Sequence, residues 1–383
     1  MNTTYSYQIY SSASQLPENW NELAVSTIFL SKEYLSILEK SAPANMSCHF
    51  IGLFENETLV GIAVSQFLDL NLLESFGNRD KCIKSFVRNI VFKKFCSHIL
   101  LIGNNTLTGQ NAFVFSENAH PTEVLKTLKK SVLALKEIFK KQGKKVHMCG
   151  LKDFGEPELS RFEIPEFNPY LRFSTQPNMI FKVRDNWKTE EDYVAALSKK
   201  YRDQYKRARK KASGLVKKQL SLEEIITQEE VIYDLYLHVA KSAPFNTFFL
   251  PKNHFAVFKA QLQENFLFYG YFENDKLIGF NTLIKNGSDL DTYFLGYDDS
   301  IQREKMLYLN MLYDMIGYAI KEQFETIIFA RTALEIKSSV GATPLKMFGM
   351  MRHDNTFINS RLNFFFHYLE PQTVWTERHP FQD

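Results

Sequence analysis

An eight-residue phrase occurs twice in this chain: Phe54-Glu55-Asn56-Glu57-Thr58-Leu59-Val60-Gly61 returns as Phe272-Glu273-Asn274-Asp275-Lys276-Leu277-Ile278-Gly279. Asn-Glu and Asn-Asp are turn formers. The residues around them, 48–53 and 62–67 in the first copy and 266–271 and 280–284 in the second, have strand character, so each copy reads as a β-hairpin. The flanks repeat as well. After the first hairpin come a strand over 97–102 ending at Gly103, a helix over 121–141, and a strand over 145–150. The helix carries Leu125, Leu128, Val132, Leu135 and Phe139 at steps of three and four, with Gly143 as its stop. After the second come a strand over 292–295 ending at Gly296, a helix over 303–322 with Leu309, Leu312, Ile316 and Ala319 on one face, and a strand over 326–329. A strand–helix–strand step implies a right-handed crossover and a parallel pair. The hairpins add antiparallel strands, so each sheet is mixed. Helical segments precede each hairpin: 17–25 and 31–40, with Ser31 as N-cap, then 228–241 and 251–263.

The order predicts an α/β fold in two tandem domains, each a mixed central sheet flanked by helices. The 383 residues suit two cores better than one. The division is expected at 1–160 and 161–383. The stretch 150–185, with Pro157, Pro165, Pro169 and Pro177, reads as a crossing segment with much to bury: Phe162, Phe167, Tyr170, Leu171 and Phe173. A net charge of +3 makes no case for nucleic acid by itself. Cys48, Cys82, Cys96 and Cys149 form no CxxC pair, so neither a zinc cage nor a disulfide framework is expected, and the histidines lack metal spacing. The first twenty residues lack the basic-then-apolar pattern of a signal peptide, and no apolar run is long enough to span a membrane. The expectation is a cytoplasmic protein.

Polar residues concentrate after the strand at 326–329, where strand ends in α/β sheets face ligand crevices. Arg331, Thr332, Glu335, Lys337 and Ser338 stand there. Two readings are open. In one, Arg331, Thr332 and Lys337 bind a polar or anionic substrate while Glu335 takes a proton from an amine. In the other, Thr332 and Glu335 form a capping box at a helix start. The run Arg331-Thr332-Ala333-Leu334-Glu335-Ile336-Lys337-Ser338-Ser339-Val340-Gly341-Ala342-Thr343-Pro344, within 297–344, resembles the GNAT acyltransferase superfamily. More narrowly it resembles the acetyltransferase-like domains grouped with the Fem-type, peptidoglycan bridge-forming aminoacyltransferases, which are double GNAT folds. The likeness covers most of 20–150 and 215–366.

The resemblance implies an N-acyltransferase with a degenerate first domain that shapes the acceptor side and an active second domain. In GNAT enzymes a helix N-terminus cradles the pyrophosphate of coenzyme A. The matching stretch here offers Gly296, Gln302, Arg303 and Lys305 for acetyl-CoA or another acyl-CoA, without the glycines of the usual signature. The first domain has Gly103-Asn104-Asn105-Thr106-Leu107-Thr108-Gly109 at that place. From their placement, Glu335 or Asp298 would serve as base, backbone N–H groups near Gly296 would hold the oxyanion, and Tyr297 or Ser338 would give a proton to the leaving group. No metal is implied. The acceptor is an amine of a small molecule or cell-envelope precursor. Fem-type enzymes take aminoacyl-tRNA instead, and one segment suits that donor. A helix over 190–212 carries a basic run, 199–218, with ten basic residues against the single acid Asp203. Its Arg207 and Arg209 are candidate phosphate contacts. A third class, a GNAT-fold binding protein without chemistry, also stays open.

Overall fold

The computed structural model describes residues 3–72, 95–242, 246–364 and 375–382; Cys82 lies outside them. The strands are β1 (Tyr5–Tyr10), β2 (Met46–Glu55), β3 (Thr58–Asp69), β4 (His98–Ile102), β5 (Phe113–Phe115) and β6 (Met148–Phe154), then β7 (Leu171–Lys182), β8 (Val216–Gln219), β9 (Phe266–Glu273), β10 (Lys276–Asn286), β11 (Asp289–Tyr297), β12 (Thr326–Ala330) and β13 (Thr343–His353). Two compact units form. Unit 1 comprises Met1–Thr175, Thr247–Pro251 and Lys346–Gln372; unit 2 comprises Gln176–Asn246, Lys252–Leu345 and Thr373–Asp383. A single cut at residue 160 does not describe them, because most of β13 returns to unit 1. There it pairs antiparallel with β6, from Phe348 opposite Phe154 to His353 opposite Met148. That pairing satisfies backbone groups which an open edge would expose.

Both repeated phrases fold alike. Asn56 and Glu57 have φ of 45° and 69°, Asn274 and Asp275 of 49° and 62°, as two-residue type I′ hairpins require. Each hairpin also carries one bulged residue at the same place. Val60 is skipped between the pairs Leu53–Gly61 and Phe54–Leu59, and Ile278 between Tyr271–Gly279 and Phe272–Leu277.

Unit 1 has the strand order β1-β2-β3-β4-β6-β13, with β5 on β3. β4 and β6 are parallel, and the helix Pro121–Lys141 lies between them in sequence. Proline at its start fits the first turn. Its C-terminus closes as a Schellman motif: Gly143 (φ 77°) donates to Lys140 O at 3.0 Å and Lys144 to Phe139 O at 2.9 Å. Leu125, Leu128, Leu135 and Phe139 are at most 1% exposed, each contributing about 1.5–3 kcal/mol by burial. Two local expectations shift. The strand expected at 145–150 is Met148–Phe154, in register with β4 from Ile99 to Ile102. The helix expected at 17–25 is only Trp20–Leu23 followed by the single turns Ala24–Ser26 and Ile28–Leu30; the β-branched Val25, Thr27 and Ile28 disfavour its extension. Ser31 caps Lys32–Lys40 by accepting from Tyr34 N–H at 3.2 Å.

Unit 2 has the order β7-β12-β11-β10-β9-β8. The helix expected at 303–322 is two, Asp299–Lys305 and Leu307–Lys321, broken at Met306 with φ 48°. Asn310, 2% exposed, holds the break: its Nδ2 donates to Lys305 O and Met306 O, both at 3.1 Å. The basic helix is also divided. Glu190–Ala196 ends where Leu197, fully buried, turns extended and bridges Phe381; Lys199–Lys211 follows. Lys217 and Lys218 belong to β8, so the run 199–218 is not one helix. No described helix is long and apolar enough to cross a membrane. Among the described residues no group of three His, Cys, Asp or Glu could hold a metal. Cys48, Cys96 and Cys149 are free thiols.

Candidate active site

In unit 2 the parallel strands β11 and β12 stay together for three residues only, Asp289–Thr326, Leu290–Ile327 and Asp291–Ile328. Thr292 Oγ1 then donates to Ile328 O at 3.0 Å, and the strands part. β12 continues along β7 to the pair Ala330–Met179, and β11 along β10 to Tyr297–Gly279. Between Asn281–Leu295 and Leu283–Thr292, β11 carries an extra residue. Bulges of this kind re-aim side chains and recur beside active sites. Tyr293, Phe294, Leu295 and Tyr297 are half-buried where the strands diverge, at the carboxyl ends of two parallel strands, the place where α/β sheets bind ligands.

Asp291 sits at the last paired position and is 7% exposed. It accepts a hydrogen bond from Asn286 Nδ2 at 3.3 Å. Burial lifts its pKa to about 7; the Asn286 bond pulls it back and the neighbouring Asp289 adds to the rise. A carboxyl group poised near neutrality can take or give a proton at working pH. Tyr293 Oη lies 3.0 Å from Nε2 of His254, which is 1% exposed. On β10, Asn281 is 1% exposed, yet its Oδ1 and Nδ2 have no hydrogen-bond partner among the described residues. It stands in register with Leu295, beside the bulge. Leaving such groups unmade costs about 1–3 kcal/mol each. The sequence reading missed Asp291 and Asn281. Their one visible signal is a carboxylate and an amide inside otherwise apolar strands.

The turn after β12 is strained. Ala330, Thr332 and Ala333 have φ of 60°, 65° and 47°, a left-handed conformation that costs a non-glycine residue about 1–3 kcal/mol. Lys337 holds it. Its Nζ, on the helix Leu334–Ser339, donates to Ala330 O at 3.3 Å and Arg331 O at 2.6 Å. Lys337 is 4% exposed, and burial lowers its pKa to about 7. Burial likewise lowers Arg331 to about 10. The capping box does not form, because the helix begins after Ala333 and has no side-chain cap. Glu335 lies at the surface in an ion pair with Arg378. Ser338 is fully buried; its Oγ donates to Glu335 O at 2.9 Å and accepts from Arg378 N–H at 3.0 Å. Glu335 and Ser338 therefore already have partners, and the structure brings Lys337 to the turn at Arg331 instead.

The loop expected to cradle coenzyme A has the wrong sign. Asp298 caps the helix Asp299–Lys305, accepting from Ser300 N–H at 3.0 Å, and Asp299 follows. Two carboxylates take the place that a pyrophosphate needs. Lys305 pairs with Glu273 at 2.6 Å. Gln302 is half-buried and Arg303 exposed. Gly296 is no open oxyanion site, because a Cβ there would meet backbone atoms of Leu235 and Tyr236 at 2.5 and 2.6 Å. The glycine admits the helix Glu229–Ser242. Tyr297 is half-buried against Tyr308, their ring centroids 6.4 Å apart. The matching loop of unit 1 is closed too. Gln66 Oε1 accepts from Asn105 N–H at 2.5 Å, and Lys152 Nζ donates to Asn104 O and Leu107 O at 3.0 and 2.9 Å. Its carbonyls, not its N–H groups, converge, and on a cation.

Arg209 is not a free phosphate contact. It pairs with Glu190 and with Asp314 at 2.6 Å. Burial works against its charge, but those carboxylates outweigh burial and raise its pKa. Lys217 lies 3.7 Å from Asp314 and 4.4 Å from the Tyr269 ring centre, and Lys218 pairs with Glu224. Lys199, Lys200, Lys206, Arg207, Lys210 and Lys211 remain exposed.

Two solved structures share this arrangement along nearly the whole chain. FemX is 10% identical, with a TM-score of 0.52 over 94% of this chain and 99% of that one. The other, described as a tandem GNAT protein from the clavulanic acid biosynthesis pathway, is 8% identical, with a TM-score of 0.52 over 92% of this chain and 99% of its own. This chain has the tandem GNAT fold. No protein-family model matches its sequence, and no curated protein does. Within the tandem GNAT frame, the parting of β11 from β12 belongs to the second copy of the repeat.

Proposed function

We propose that unit 2 is an N-acyltransferase in which Asp291 takes the proton of an attacking amine. The observation that carries this reading is a carboxyl group buried at the last paired position, where β11 and β12 part, its pKa raised by that burial. An amine nitrogen bonds to the acyl carbon of an ester held where β11 and β12 part, and the bond from that carbon to the carrier oxygen breaks. Asp291 accepts the proton the nitrogen sheds. The Tyr293 hydroxyl, hydrogen-bonded with His254, returns a proton to the leaving oxygen. General base catalysis of this kind contributes about 10²–10⁴-fold.

For the donor, an aminoacyl ester of tRNA suits the chain better than acyl-CoA. The loop meant for a pyrophosphate carries Asp298 and Asp299, and its Lys305 is paired. Lys206, Arg207, Lys210 and Lys211 are exposed on one helix, as phosphate contacts require. The acceptor is an amine of a small molecule or cell-envelope precursor.

Thermal unfolding of the whole chain with charged tRNA and with acyl-CoA tests the donor. A ligand at a hundredfold excess over its Kd stabilises the folded state by about 2.7 kcal/mol. The reading expects a shift with aminoacyl-tRNA that falls steeply with salt and disappears in Arg207→Glu/Lys210→Glu. A shift with acyl-CoA alone overturns the donor assignment. Asp291→Asn retaining full transfer activity overturns the base.

A further inference from the structure

Three histidines meet at one end of the sheet in unit 1. His98 opens β4, His147 stands just before β6, and His353 closes β13. The main chain ties them into a row: His147 N–H donates to His98 O at 2.9 Å, and Asp354 N–H to His147 O at 2.8 Å. The rings of His98 and His147 stack, with centroids 5.1 Å apart and planes 7° from parallel. His353 is 3% exposed and governs the chain that follows it. Its N–H donates to Asn359 Oδ1 at 2.8 Å, and its Nδ1 accepts from Asn355 N–H at 2.9 Å. Asn355 in turn caps the helix Thr356–Asn359, accepting from Phe357 N–H at 2.9 Å and Ile358 N–H at 3.2 Å.

These hydrogen bonds assign the ring protons. His353 Nε2 lies 2.8 Å from Phe95 O; a carbonyl only accepts, so Nε2 carries a hydrogen and Nδ1 carries none. His147 Nδ1 likewise accepts, from His98 N–H at 3.3 Å. Both rings are therefore neutral, and each has its basic lone pair engaged by a main-chain N–H. A second proton on either ring breaks that bond. His98 differs. Its Nδ1 donates to Lys145 O at 2.8 Å, while its Nε2 faces Asn71 Nδ2 at 3.3 Å and Asp69 at 3.5 Å. A second proton on His98 is met by a carboxylate, and the ring stacked on it then faces a cation. Asp354 stands among Lys136, its ion-pair partner, Lys145 and Arg352. Burial, then His98, His353 and Lys145, lower the pKa of His147 to about 4 against the opposing pull of Asp354.

We propose that this histidine row is an acid-sensitive latch, holding the end of β13 and the helix Thr356–Asn359 to β4 and β6 while His147 and His353 are neutral and releasing them when both take protons. The assignment is independent of the chemistry proposed for unit 2. The folded pKa of His147 lies below the unfolded 6.5, so the latch is at full strength above about pH 6.5 and fails as pH falls toward about 4. Hydrogen exchange of the whole chain at about pH 7 and about pH 5, each corrected for the intrinsic exchange rate, reads it by mass spectrometry. Peptides covering 353–362 lose protection at least about tenfold at the lower pH, whereas those of the helix Pro121–Lys141 keep theirs. The double variant His147→Asn/His353→Gln supplies amides that do not titrate, and protects 353–362 equally at both pH values. Ring-carbon NMR of the native chain gives a second reading: at about pH 7 both rings are neutral with the hydrogen on Nε2. The proposal fails if native protection is unchanged on acidification, or if the variant loses protection on acidification as the native chain does. It fails equally if either ring is charged, or protonated on Nδ1, at about pH 7. Should the variant be unprotected at both pH values, native exchange and the ring signals decide.

Discussion

Replacing Lys337 with methionine tests whether a buried amine holds the turn after β12. Lys337 is 4% exposed, and its two hydrogen-bond acceptors are the backbone carbonyls of Ala330 and Arg331. Burial lowers its pKa from 10.5 to about 7. Between those values the unfolded chain binds a proton that the folded chain has released, so this residue makes stability rise with pH. Below about pH 7 the folded state must charge a buried amine and its disadvantage is complete; above about pH 10.5 it vanishes. Over the whole window the change amounts to about 5 kcal/mol, of which about 3 kcal/mol falls between about pH 7 and about pH 9.5. Lys337→Met keeps the volume and lacks the proton. It also leaves two carbonyls unmade, a loss of about 1–3 kcal/mol each that is independent of pH. Urea unfolding of both proteins across that range isolates the effect, because every other titrating group cancels in the difference. The native chain should gain about 3 kcal/mol on the variant. Parallel curves would show that Lys337 keeps its proton when folded and would refute the lowered pKa; a variant as stable as the native chain at about pH 10.5 would refute the account of the turn.

Asn281→Leu removes two unmet polar atoms from the core. It should raise stability by about 1–3 kcal/mol while reducing transfer activity, as expected of a residue kept for function; a variant less stable than the native chain in urea refutes this. Arg209→Ala leaves Glu190 without its cation and Asp314 with Lys217 alone, and should destabilise by about 2 kcal/mol, less than breaking a fully buried pair, whereas Arg207→Ala should change thermal stability little; equal losses would mean that both sit at the surface. Because Asp291 must be ionised to accept a proton, transfer activity should rise as pH passes upward through about 7, and an activity flat from about pH 6 to about pH 8 would exclude it as the base.

Local chemistry made part of this architecture legible in the sequence. The tips Asn56-Glu57 and Asn274-Asp275 and the helix Pro121–Lys141 depend on turn residues, spacing and a C-terminal glycine, all within a few positions of one another. What could not be read depends on distant partners. Met306 and Ala330 adopt left-handed conformations that their side chains disfavour, because Asn310 and Lys337 bind the carbonyls so exposed. Arg209 looked like one more charge in a basic run. Its carboxylates stand 19 and 105 positions away, and only the fold brings them together. Asp291 is a carboxylate in a strand until the parting of β11 from β12 shows where that strand ends its partnership.

The two copies of the repeat treat the same place differently, and the proposal for unit 2 rests on that difference. In unit 1, β4 remains paired with β6 to its last residue, Ile102 opposite Leu151. The loop beyond is filled: Gln66 binds the Asn105 N–H, Asn104 binds Tyr34 at 2.8 Å, and Lys152 binds the carbonyls. These groups already have partners, so a ligand would have to break hydrogen bonds to reach them, losing about what it gains. In unit 2 the strands separate after three pairs and a bulge follows; among the described residues Asp291 has one hydrogen bond, from Asn286, and Asn281 has none. A folded chain tolerates such groups where something else completes them. The same scaffold keeps its parallel pair together in one copy and parts it in the other, where Lys337 braces a strained turn after β12 and Gly296 admits a helix against β11.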